Sequence, residues 1–322
     1  GCMKIARITS PQQFEFVDVP DPEISEGEVL VKMERLSICG SDLRIFDRTF
    51  EEEMYPIEHG KPCHECAGVV VETKSSEYNV GDKVIVFPDG GNGLAEYLAE
   101  PAERLVRLPD GKDMSTLLMC QPVGTVMHSC KLTGSVIGKK IVVLGQGPIG
   151  LSFSNFLAQG GATKVIGVDL LDYRLDVAKN NGATHVINPN RDNLEEAVAE
   201  LTNGEGADIV VEAVGRPETL NGIWKIIKKQ GKAILFGLSH DEDVFEFNFD
   251  EMTSKLPIIE VHNSARTWDM PQAVNECIEL VEQDRLDLSY LVTHNMKFEE
   301  VQKAYETYSS KLDNSLKITM EL

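Results

Sequence analysis

Residues 141–150 read Ile141-Val142-Val143-Leu144-Gly145-Gln146-Gly147-Pro148-Ile149-Gly150. Four apolar residues lead into a G-x-G-x-x-G pattern, and a helix-length apolar segment follows it. Gly145 permits a tight turn, Gly147 lets the backbone approach a pyrophosphate, and Gly150 lets helix and strand pack closely. Pro148 and Ile149 open the helix, whose amino end faces the anion. The stretch therefore predicts a dinucleotide-binding loop.

The residues around this loop alternate between short apolar runs and helix-length amphipathic stretches. We expect strands at residues 141–144, 164–168, 185–187, 208–211, 233–238 and 258–261. We expect helices at stretches such as residues 173–181, 194–201 and 218–229. Six strands joined by five crossovers predict an α/β fold with a doubly wound parallel sheet.

An acidic residue ends the second predicted strand. Asp169 lies 19 residues after Gly150, where a carboxylate accepts hydrogen bonds from an adenosine ribose 2′-hydroxyl and repels a 2′-phosphate. This position favours NAD over NADP. Arg174, five residues further on, is a cation that can meet a 2′-phosphate, so NADP stays open as the less favoured cofactor.

The flanking regions have a different pattern. From residue 5 to about residue 108, short apolar stretches separated by turn formers are typical of an all-β unit. After residue 262 the tail carries two helical stretches, near residues 270–283 and 298–309, and a last strand at 316–320. Because the tail is too small to fold alone, we expect it to pack on the N-terminal half. We place the domains at residues 1–125, 126–262 and 263–322, with the third segment completing the first domain.

Composition and charge exclude several partner classes. The 322 residues include 31 Lys and Arg against 52 Asp and Glu, a formal net charge of −21. This charge repels phosphate backbones and anionic lipids, so we expect neither a nucleic-acid nor a membrane partner. No apolar run approaches the roughly 18 to 20 residues of a membrane span. No secretory signal is visible, and seven scattered cysteines suit reduced thiols, so we expect a cytoplasmic protein.

Two short segments of the β-rich half carry side chains that bind metals. Residues 39–42 read Cys-Gly-Ser-Asp, and residues 63–66 read Cys-His-Glu-Cys. A thiolate, an imidazole and an oxygen ligand with one open position form the site that a catalytic zinc ion needs, and zinc polarises an alcohol oxygen. The sequence therefore predicts a zinc site in this half of the chain.

Together these features resemble the zinc-dependent medium-chain alcohol, polyol and sugar dehydrogenases, such as sorbitol, threonine and glucose dehydrogenases. The resemblance covers essentially the whole chain, including residues 80–84, 93–97, 207–215, 292–294 and 298–301. It implies a GroES-like β-rich catalytic domain, a Rossmann domain that binds NAD, and a C-terminal segment that completes the catalytic domain. It also implies a homodimer or homotetramer joined through the edge of the Rossmann sheet.

The resemblance assigns catalytic roles to five residues. It makes Cys39 and His64 zinc ligands, and it makes Glu65 either a ligand or a nearby carboxylate that exchanges with the substrate. Ser41 would pass on the proton of the substrate hydroxyl. Asp42 would hold the imidazole of His64, which fixes the tautomer of this ligand.

In relatives the remaining zinc ligand precedes the Rossmann domain. Gln121 takes the place of an acidic residue there and is the first choice, directly or through water, while Cys120 is the second. The resemblance further assigns four cofactor contacts, which are Val214 and Gly237 near the nicotinamide, Asn263 near its amide, and Lys317 near the pyrophosphate.

Three departures from the family pattern bear on function. Arg44 replaces a His that often finishes the proton relay, and a guanidinium cannot accept a proton, so the relay would end in water or a ribose hydroxyl. Arg44 would then bind a polar or anionic substrate group or lie exposed. Residues 88–93 continue without the four-Cys lobe that holds a structural zinc in many relatives, so one zinc per chain is expected.

The third departure is Cys63, which replaces a Gly and creates a pair with Cys66. Because side chains alternate along a β-segment, we expect Cys63 and Glu65 on one face and His64 and Cys66 on the other. An alternative metal arrangement at these thiols is the less favoured interpretation.

The sequence thus predicts an enzyme that transfers a hydride between a secondary alcohol, polyol or sugar hydroxyl and NAD. Gln121, Arg44 and Asn263 favour a polyol or sugar over a simple aliphatic alcohol. One alternative is a zinc-free medium-chain quinone or enoyl reductase, which would dispense with Cys39 and His64. Another is a catalytically idle NAD-binding protein, in which Gln121 and Arg44 mark lost chemistry.

Overall fold

The structure is a computed structural model, and it describes residues 1–237, 242–263 and 270–322. Its strands are β1 Cys2–Ser10, β2 Gln13–Pro20, β3 Glu28–Ser37, β4 Glu65–Thr73, β5 Lys83–Val86, β6 Tyr97–Pro101, β7 Leu105–Arg107, β8 Lys140–Leu144, β9 Lys164–Val168, β10 His185–Ile187, β11 Ala207–Glu212, β12 Ile227–Leu235, β13 Ile258–Val261, β14 Val292–Lys297 and β15 Lys317–Glu321. Its helices are α1 Leu43–Phe46, α2 Met114–Leu118, α3 Cys120–Thr133, α4 Pro148–Gln159, α5 Asp172–Asn180, α6 Leu194–Leu201, α7 Pro217–Ile226, α8 Phe249–Lys255, α9 Met270–Glu282 and α10 Val301–Ser309.

The chain forms two compact units. The N-terminal unit consists of Gly1–Gly124 together with Asp269–Leu322, and the central unit is Thr125–Trp268. The sequence places the corresponding boundaries at residues 125 and 126 and at residues 262 and 263. The second division of the two units falls between Trp268 and Asp269, within residues 264–269, which lie outside the described residues.

The central unit contains the predicted doubly wound parallel sheet. Its six strands have the order β10-β9-β8-β11-β12-β13, and every neighbouring pair is parallel. Along β8, Val142 and Leu144 belong to one buried cluster, while Ile141 and Val143 belong to another. Because both faces of the sheet are covered, the strands read as continuous apolar runs. The predicted α/β fold is confirmed.

One strand of this sheet begins earlier than the sequence predicts. We expected a helix to residue 229 and a strand over residues 233–238, but α7 ends at Ile226 and β12 begins at Ile227. Ile227 pairs with Ala207 of β11, and the register then shifts before Lys232. Gln230 has a φ of 64°, which is a left-handed backbone conformation. A right-handed α-helix cannot continue through this residue. The end of the predicted strand, Leu238, lies outside the described residues.

The N-terminal unit is built on a seven-stranded sheet. Six strands have the order β14-β15-β3-β4-β5-β7, and β6 pairs with β3. The C-terminal strand β15 runs antiparallel to β3, with Thr319 opposite Ser37. Ile318 and Met320 of β15 are fully buried in the same cluster as Val31 of β3. The tail therefore packs as part of the N-terminal unit.

Among the described residues, none of the helices combines the length and apolar character that crossing a membrane requires.

Candidate zinc site and nucleotide-binding loop

The pairing of two strands brings the first candidate residues together. β3 ends at Ser37, which lies opposite Glu65, the first residue of β4. Cys39 follows Ser37 by two residues and precedes a 3₁₀ turn over Gly40–Asp42. His64 directly precedes β4. The antiparallel register thus sets Cys39 beside His64 and Glu65.

These three residues form a group of metal-binding side chains. One ligand atom from each of Cys39, His64 and Glu65 lies within 4.8 Å of the others. Cys39 and His64 are partly exposed, whereas Glu65 is buried. Donor atoms this close leave room for one ion that contacts all three.

The imidazole of His64 is oriented by Asp42. His64 Nδ1 lies 3.3 Å from Asp42 Oδ1, so this nitrogen donates to the carboxylate and leaves Nε2 for a metal. Ser41 Oγ lies 3.5 Å from His64 Nε2 and 3.4 Å from Cys39 Sγ. Burial lowers the pKa of His64, but the charges of Cys39 and Asp42 outweigh this effect and raise the pKa well above its usual value.

Asp42 is itself held by several donors. It accepts a hydrogen bond from the Cys39 amide at 3.1 Å, and its Oδ2 lies 3.1 Å from the Tyr305 hydroxyl, whose one hydrogen is shared with the Pro62 carbonyl oxygen at 2.8 Å. Burial raises the pKa of Asp42, while the hydrogen bond with His64 opposes this rise. Burial and the charge of Asp42 raise the pKa of Tyr305 well above its usual value, so the phenol stays a proton donor. Sequence reasoning missed Tyr305, because no motif marks it and 263 residues separate it from Asp42.

Gln121 contacts the ligand loop from the start of α3. Its Nε2 donates to the carbonyl oxygen of His64 at 2.7 Å, and because a carbonyl only accepts, this bond fixes the orientation of the amide. Its Oε1 is buried and has no hydrogen-bond partner among the described residues. An unpartnered buried amide oxygen is costly, and a bound cation would satisfy it. Together with the thiolate, imidazole and carboxylate, this oxygen makes a donor set that fits zinc.

The alternative ligand, Cys120, has a different partner. Its thiol is buried and hydrogen-bonded to Cys277, and this bond together with burial raises the pKa of Cys120. A zinc ligand must be a thiolate, which this environment disfavours. The geometry therefore favours Gln121 over Cys120.

The predicted alternation over residues 63–66 is wrong. Cys63 Sγ lies 3.9 Å from Cys66 Sγ, and both thiols are fully buried. The reason is that β4 begins only at Glu65, while Cys63 forms an isolated bridge with Asn92, so a regular two-residue alternation does not extend back to it. The hydrogen bond with Cys66 and burial raise the pKa of Cys63, which favours packed, protonated thiols over a second metal arrangement.

The predicted contact between Lys317 and a pyrophosphate is also corrected. Lys317 Nζ donates to Glu65 Oε1 at 2.8 Å and to the carbonyl oxygen of Ile38 at 2.5 Å. The Lys317 side chain is only 2% exposed, so its ammonium has no free surface for a phosphate. β15 directs this side chain into the N-terminal unit, a consequence of strand pairing that the sequence motif does not encode.

The glycine loop links β8 to α4 as predicted. Gly145 has a φ of +92°, and a Cβ on this residue would lie 2.7 Å from Val214 Cγ2. A Cβ on Gly150 would lie 1.7 Å from the carbonyl oxygen of Gly145, so only glycine fits there. α4 begins at Pro148 with Gly147 as its N-cap, and no side chain caps it. The first amide groups of α4 are therefore available to an anion.

The acidic and basic residues assigned to the ribose lie together beside this loop. Asp169 Oδ2 accepts from the Gln146 amide at 2.7 Å, and Oδ1 accepts from the Leu171 amide at 2.9 Å. Arg174 Nη1 lies 3.8 Å from Asp169 Oδ2 and 3.2 Å from where a Cβ on Gly147 would be. The guanidinium thus covers the loop, and the carboxylate is anchored by backbone amides.

The remaining cofactor candidates surround a cavity of about 350 Å³ in the central unit. Gly215, Gly237 and Asn263 line it, at the carboxyl ends of β11, β12 and β13, where ligands bind in open parallel sheets. Val214 lies next to this lining, against the glycine loop. Glu212 belongs to the segment that resembles a nicotinamide-flanking strand end, but the sequence assigns it no role of its own. Its Oε1 accepts from the amides of Val214 and Gly215 at 2.7 and 2.8 Å and so shapes the wall.

Comparisons with known proteins agree with this geometry. Residues 25–110 match the family model described as alcohol dehydrogenase GroES-like domain, and residues 148–282 match the one described as zinc-binding dehydrogenase. An uncharacterized zinc-type alcohol dehydrogenase-like protein of Haemophilus influenzae is 27% identical, with 98% of each chain covered. L-threonine 3-dehydrogenase of Bacillus licheniformis is 29% identical, with 89% of this chain and 90% of the relative covered.

Solved structures show the same relationship. The crystal structure of ECK1772 from Escherichia coli, described as an oxidoreductase/dehydrogenase of unknown specificity involved in membrane biogenesis, has a TM-score of 0.87 and 27% identity. The match covers 100% of this chain and 99% of that one. The sequence matches, the paired GroES-like and Rossmann-like folds and the Cys-His-Glu group lead to one conclusion: the chain is an oxidoreductase that belongs to the zinc-dependent medium-chain dehydrogenase family.

Proposed function

We propose that this protein is a dehydrogenase that transfers a hydride between a secondary alcohol, polyol or sugar hydroxyl and NAD. The observation that carries the proposal is the group of donor atoms from Cys39, His64 and Glu65 within 4.8 Å, with Ser41 Oγ beside it. The N-terminal unit supplies the GroES-like catalytic domain, and the central unit supplies the NAD-binding domain.

One zinc ion per chain belongs to the proposal, held by Cys39, His64, Glu65 and Gln121. The unpartnered Gln121 Oε1 and the hydrogen-bonded thiol of Cys120 support this choice of the fourth ligand. When bound, zinc lowers the pKa of an alcohol hydroxyl and stabilises the oxygen from which the proton leaves. The absence of cysteines in residues 88–93 supports a single ion.

Ser41 carries the proton of the substrate hydroxyl. Its Oγ faces both Cys39 Sγ and His64 Nε2 and can exchange a proton with a hydroxyl bound at the open side of the group. Asp42 and Tyr305 are positioning residues, since they hold His64 and the turn after Cys39 through hydrogen bonds.

The central unit holds the cofactor in one orientation, which lowers the entropic cost of the reaction. The proposed contacts are Gly145, Gly147, Pro148, Ile149, Gly150, Asp169, Arg174, Val214, Gly237 and Asn263. Asp169 supports NAD because its carboxylate lies at the loop and repels a 2′-phosphate. Arg174, only 3.8 Å from that carboxylate, keeps NADP as the second choice.

A homodimer is the proposed assembly, and a homotetramer, which would need a second and different contact, is the alternative. β13 is the last strand of the central sheet and pairs only with β12 among the described strands. Its Ile258 and Val261 are 55% and 74% exposed. A second copy that pairs with this edge would cover these side chains.

The free cysteines bear on the cellular compartment of the protein, and its net charge bears on the class of partner that it binds. All seven cysteines, each within the described residues, are free thiols, which supports a reducing compartment such as the cytoplasm. The net charge of −21 supports a small-molecule substrate rather than a nucleic acid or a membrane.

The test is the zinc content of dialysed protein, measured by elemental mass spectrometry, together with a screen of NAD reduction on alcohols, polyols, aldoses and hydroxy acids. About one zinc per chain and NAD reduction with any of these classes is the expected result. Zinc-free protein that reduces quinones or enoyl compounds would indicate the zinc-free reductase. NADH binding without turnover of any compound would indicate the idle binder.

A further inference from the structure

The turn that carries the zinc ligand Cys39 continues into a short helix with two distinct faces. After the 3₁₀ turn Gly40–Asp42, Asp42 and Leu43 keep helical dihedral angles, and α1 follows directly. Asp42 and Phe46, four residues apart, are buried and both contact Tyr305, by a hydrogen bond and by a ring distance of 5.3 Å. This face of the helix therefore points into the core.

The other face carries Ser41 and Arg44. Side chains three residues apart on a helical turn are neighbours, with Cβ atoms about 5 to 6 Å apart. Because Ser41 Oγ touches both Cys39 Sγ and His64 Nε2, the Arg44 side chain starts beside the zinc site. The guanidinium is long enough to reach a molecule whose hydroxyl lies at Ser41.

Arg44 has no acceptor among the described residues. Its Nε is buried without a hydrogen-bond partner. A guanidinium N–H that is removed from water without an acceptor is costly, so this group is suited to a ligand that brings an oxygen. Lys317, a second cation near this site, is already paired with Glu65.

We propose that Arg44 binds an anionic group of the substrate, a carboxylate or a phosphate, and thereby selects hydroxy acids or sugar phosphates over neutral alcohols and polyols. This inference rests on the proposed function. A planar guanidinium matches the two oxygens of such a group and stays charged at every working pH, which suits it to this role. The same anionic chemistry is present in the cofactor pyrophosphate, so the test must separate the two sources.

The test compares matched pairs that differ only in the anion, butan-2-ol with 3-hydroxybutyrate and glycerol with glycerol 1-phosphate. We measure kcat and KM for each compound and KM for NAD in the native protein, Arg44→Gln and Arg44→Lys. Arg7→Gln is the control, because it removes the same charge from an exposed ion pair with Glu15. Calorimetric binding of each compound to the zinc- and NADH-loaded protein gives a readout that does not depend on turnover.

The native protein is expected to prefer the anionic member of at least one pair. Arg44→Gln should lower kcat/KM or affinity for that member about 10- to 100-fold, the range for a charge-assisted hydrogen bond, and leave the neutral member within about threefold. Arg44→Lys should recover part of this loss, and Arg7→Gln should change nothing.

Three results would overturn the proposal. One is a native protein that binds and oxidises neutral members as well as anionic ones, which leaves the dehydrogenase function intact but removes the role of Arg44. Another is an equal loss on both members, which indicates a structural role. The third is a raised KM for NAD with unchanged discrimination, which assigns the contact to the cofactor. A failure of the proposed function differs from all of these results, because no alcohol would then reduce NAD. The calorimetric binding measurements would still show whether Arg44 discriminates between anionic and neutral compounds.

Discussion

Lys317 Nζ lies 2.8 Å from Glu65 Oε1, and both side chains are only 2% exposed. A lysine from the last strand of the chain thus neutralises a carboxylate of the candidate zinc site. Burial lowers the pKa of Lys317, but the charges of Glu65 and Cys39 outweigh burial and raise the pKa above its usual value, so the ammonium stays charged. The pair holds one oxygen of Glu65 in place.

Lys317→Met should destabilise the metal-free protein by roughly 3 to 5 kcal/mol, because it leaves a buried carboxylate without a counter-charge. The free energy of unfolding in urea, measured with a chelator present, checks this value. With zinc present the loss should be smaller, since the ion supplies positive charge to Glu65.

The matched control for this experiment is Lys112→Met. Lys112 pairs with Asp284 at 2.5 Å, but the Lys112 side chain is 34% exposed and the Asp284 side chain is 82% exposed. Removing such a pair costs about 0 to 1 kcal/mol. Equal losses in the two variants would contradict the interpretation of Lys317 and Glu65 as a buried pair.

Cys39→Ser should remove zinc and dehydrogenase activity together and leave NADH binding intact, because the thiolate is a ligand in the N-terminal unit only. Cys120→Ser is the matched control, and it should retain about one zinc per chain, because the Cys120 thiol bonds Cys277. Elemental analysis measures the zinc content, and NADH fluorescence measures NADH binding. Turnover that survives in Cys39→Ser, or zinc loss in Cys120→Ser, would show that the ligand set is different.

Tyr305→Phe should weaken zinc binding about tenfold, the lower end for residues that orient a ligand, because the hydroxyl that is shared by Asp42 and the Pro62 carbonyl oxygen is lost. Competition with a chromogenic chelator measures the affinity, and the visible spectrum of the cobalt-substituted protein reports on ligand geometry. Tyr78→Phe is the control, since Tyr78 donates a comparable bond to the Leu105 carbonyl oxygen at 3.1 Å away from the site. Tyr305 would have no positioning role if both variants bound zinc like the native protein.

The sequence predicts the central sheet well because each of its strands is a short apolar run, and such runs follow from burial on both faces. It predicts Cys39 and His64 because their chemistry is rare and localised. It does not predict Tyr305 or the partner of Lys317, since these contacts join segments that are 263 and 252 residues apart. The error at Cys63 arose from assuming a strand where the chain makes only an isolated bridge.

Ile258→Asp should convert the proposed dimer into a monomer, because it places a charge on the exposed edge strand β13. Sedimentation equilibrium should then give a mass near that of one chain, 35.6 kDa, where the native protein gives at least twice that value. Val80→Asp is the control, since Val80 is 66% exposed and lies in the N-terminal unit. An unchanged mass for Ile258→Asp would place the subunit contact elsewhere.

Asp169→Asn should narrow the preference for NAD over NADP by about tenfold. The variant loses a charge-assisted hydrogen bond to the ribose of NAD, and it no longer repels the 2′-phosphate of NADP. Asparagine can still accept from the Gln146 or Leu171 amide, so the loop should keep its shape. The ratio of kcat/KM for the two cofactors is the measurement. In the double variant with Arg174→Ala, activity with NADP should fall again, because the cation beside Asp169 is what would hold the 2′-phosphate once the carboxylate is neutralised. A ratio that stays the same in both variants would mean that other residues choose the cofactor.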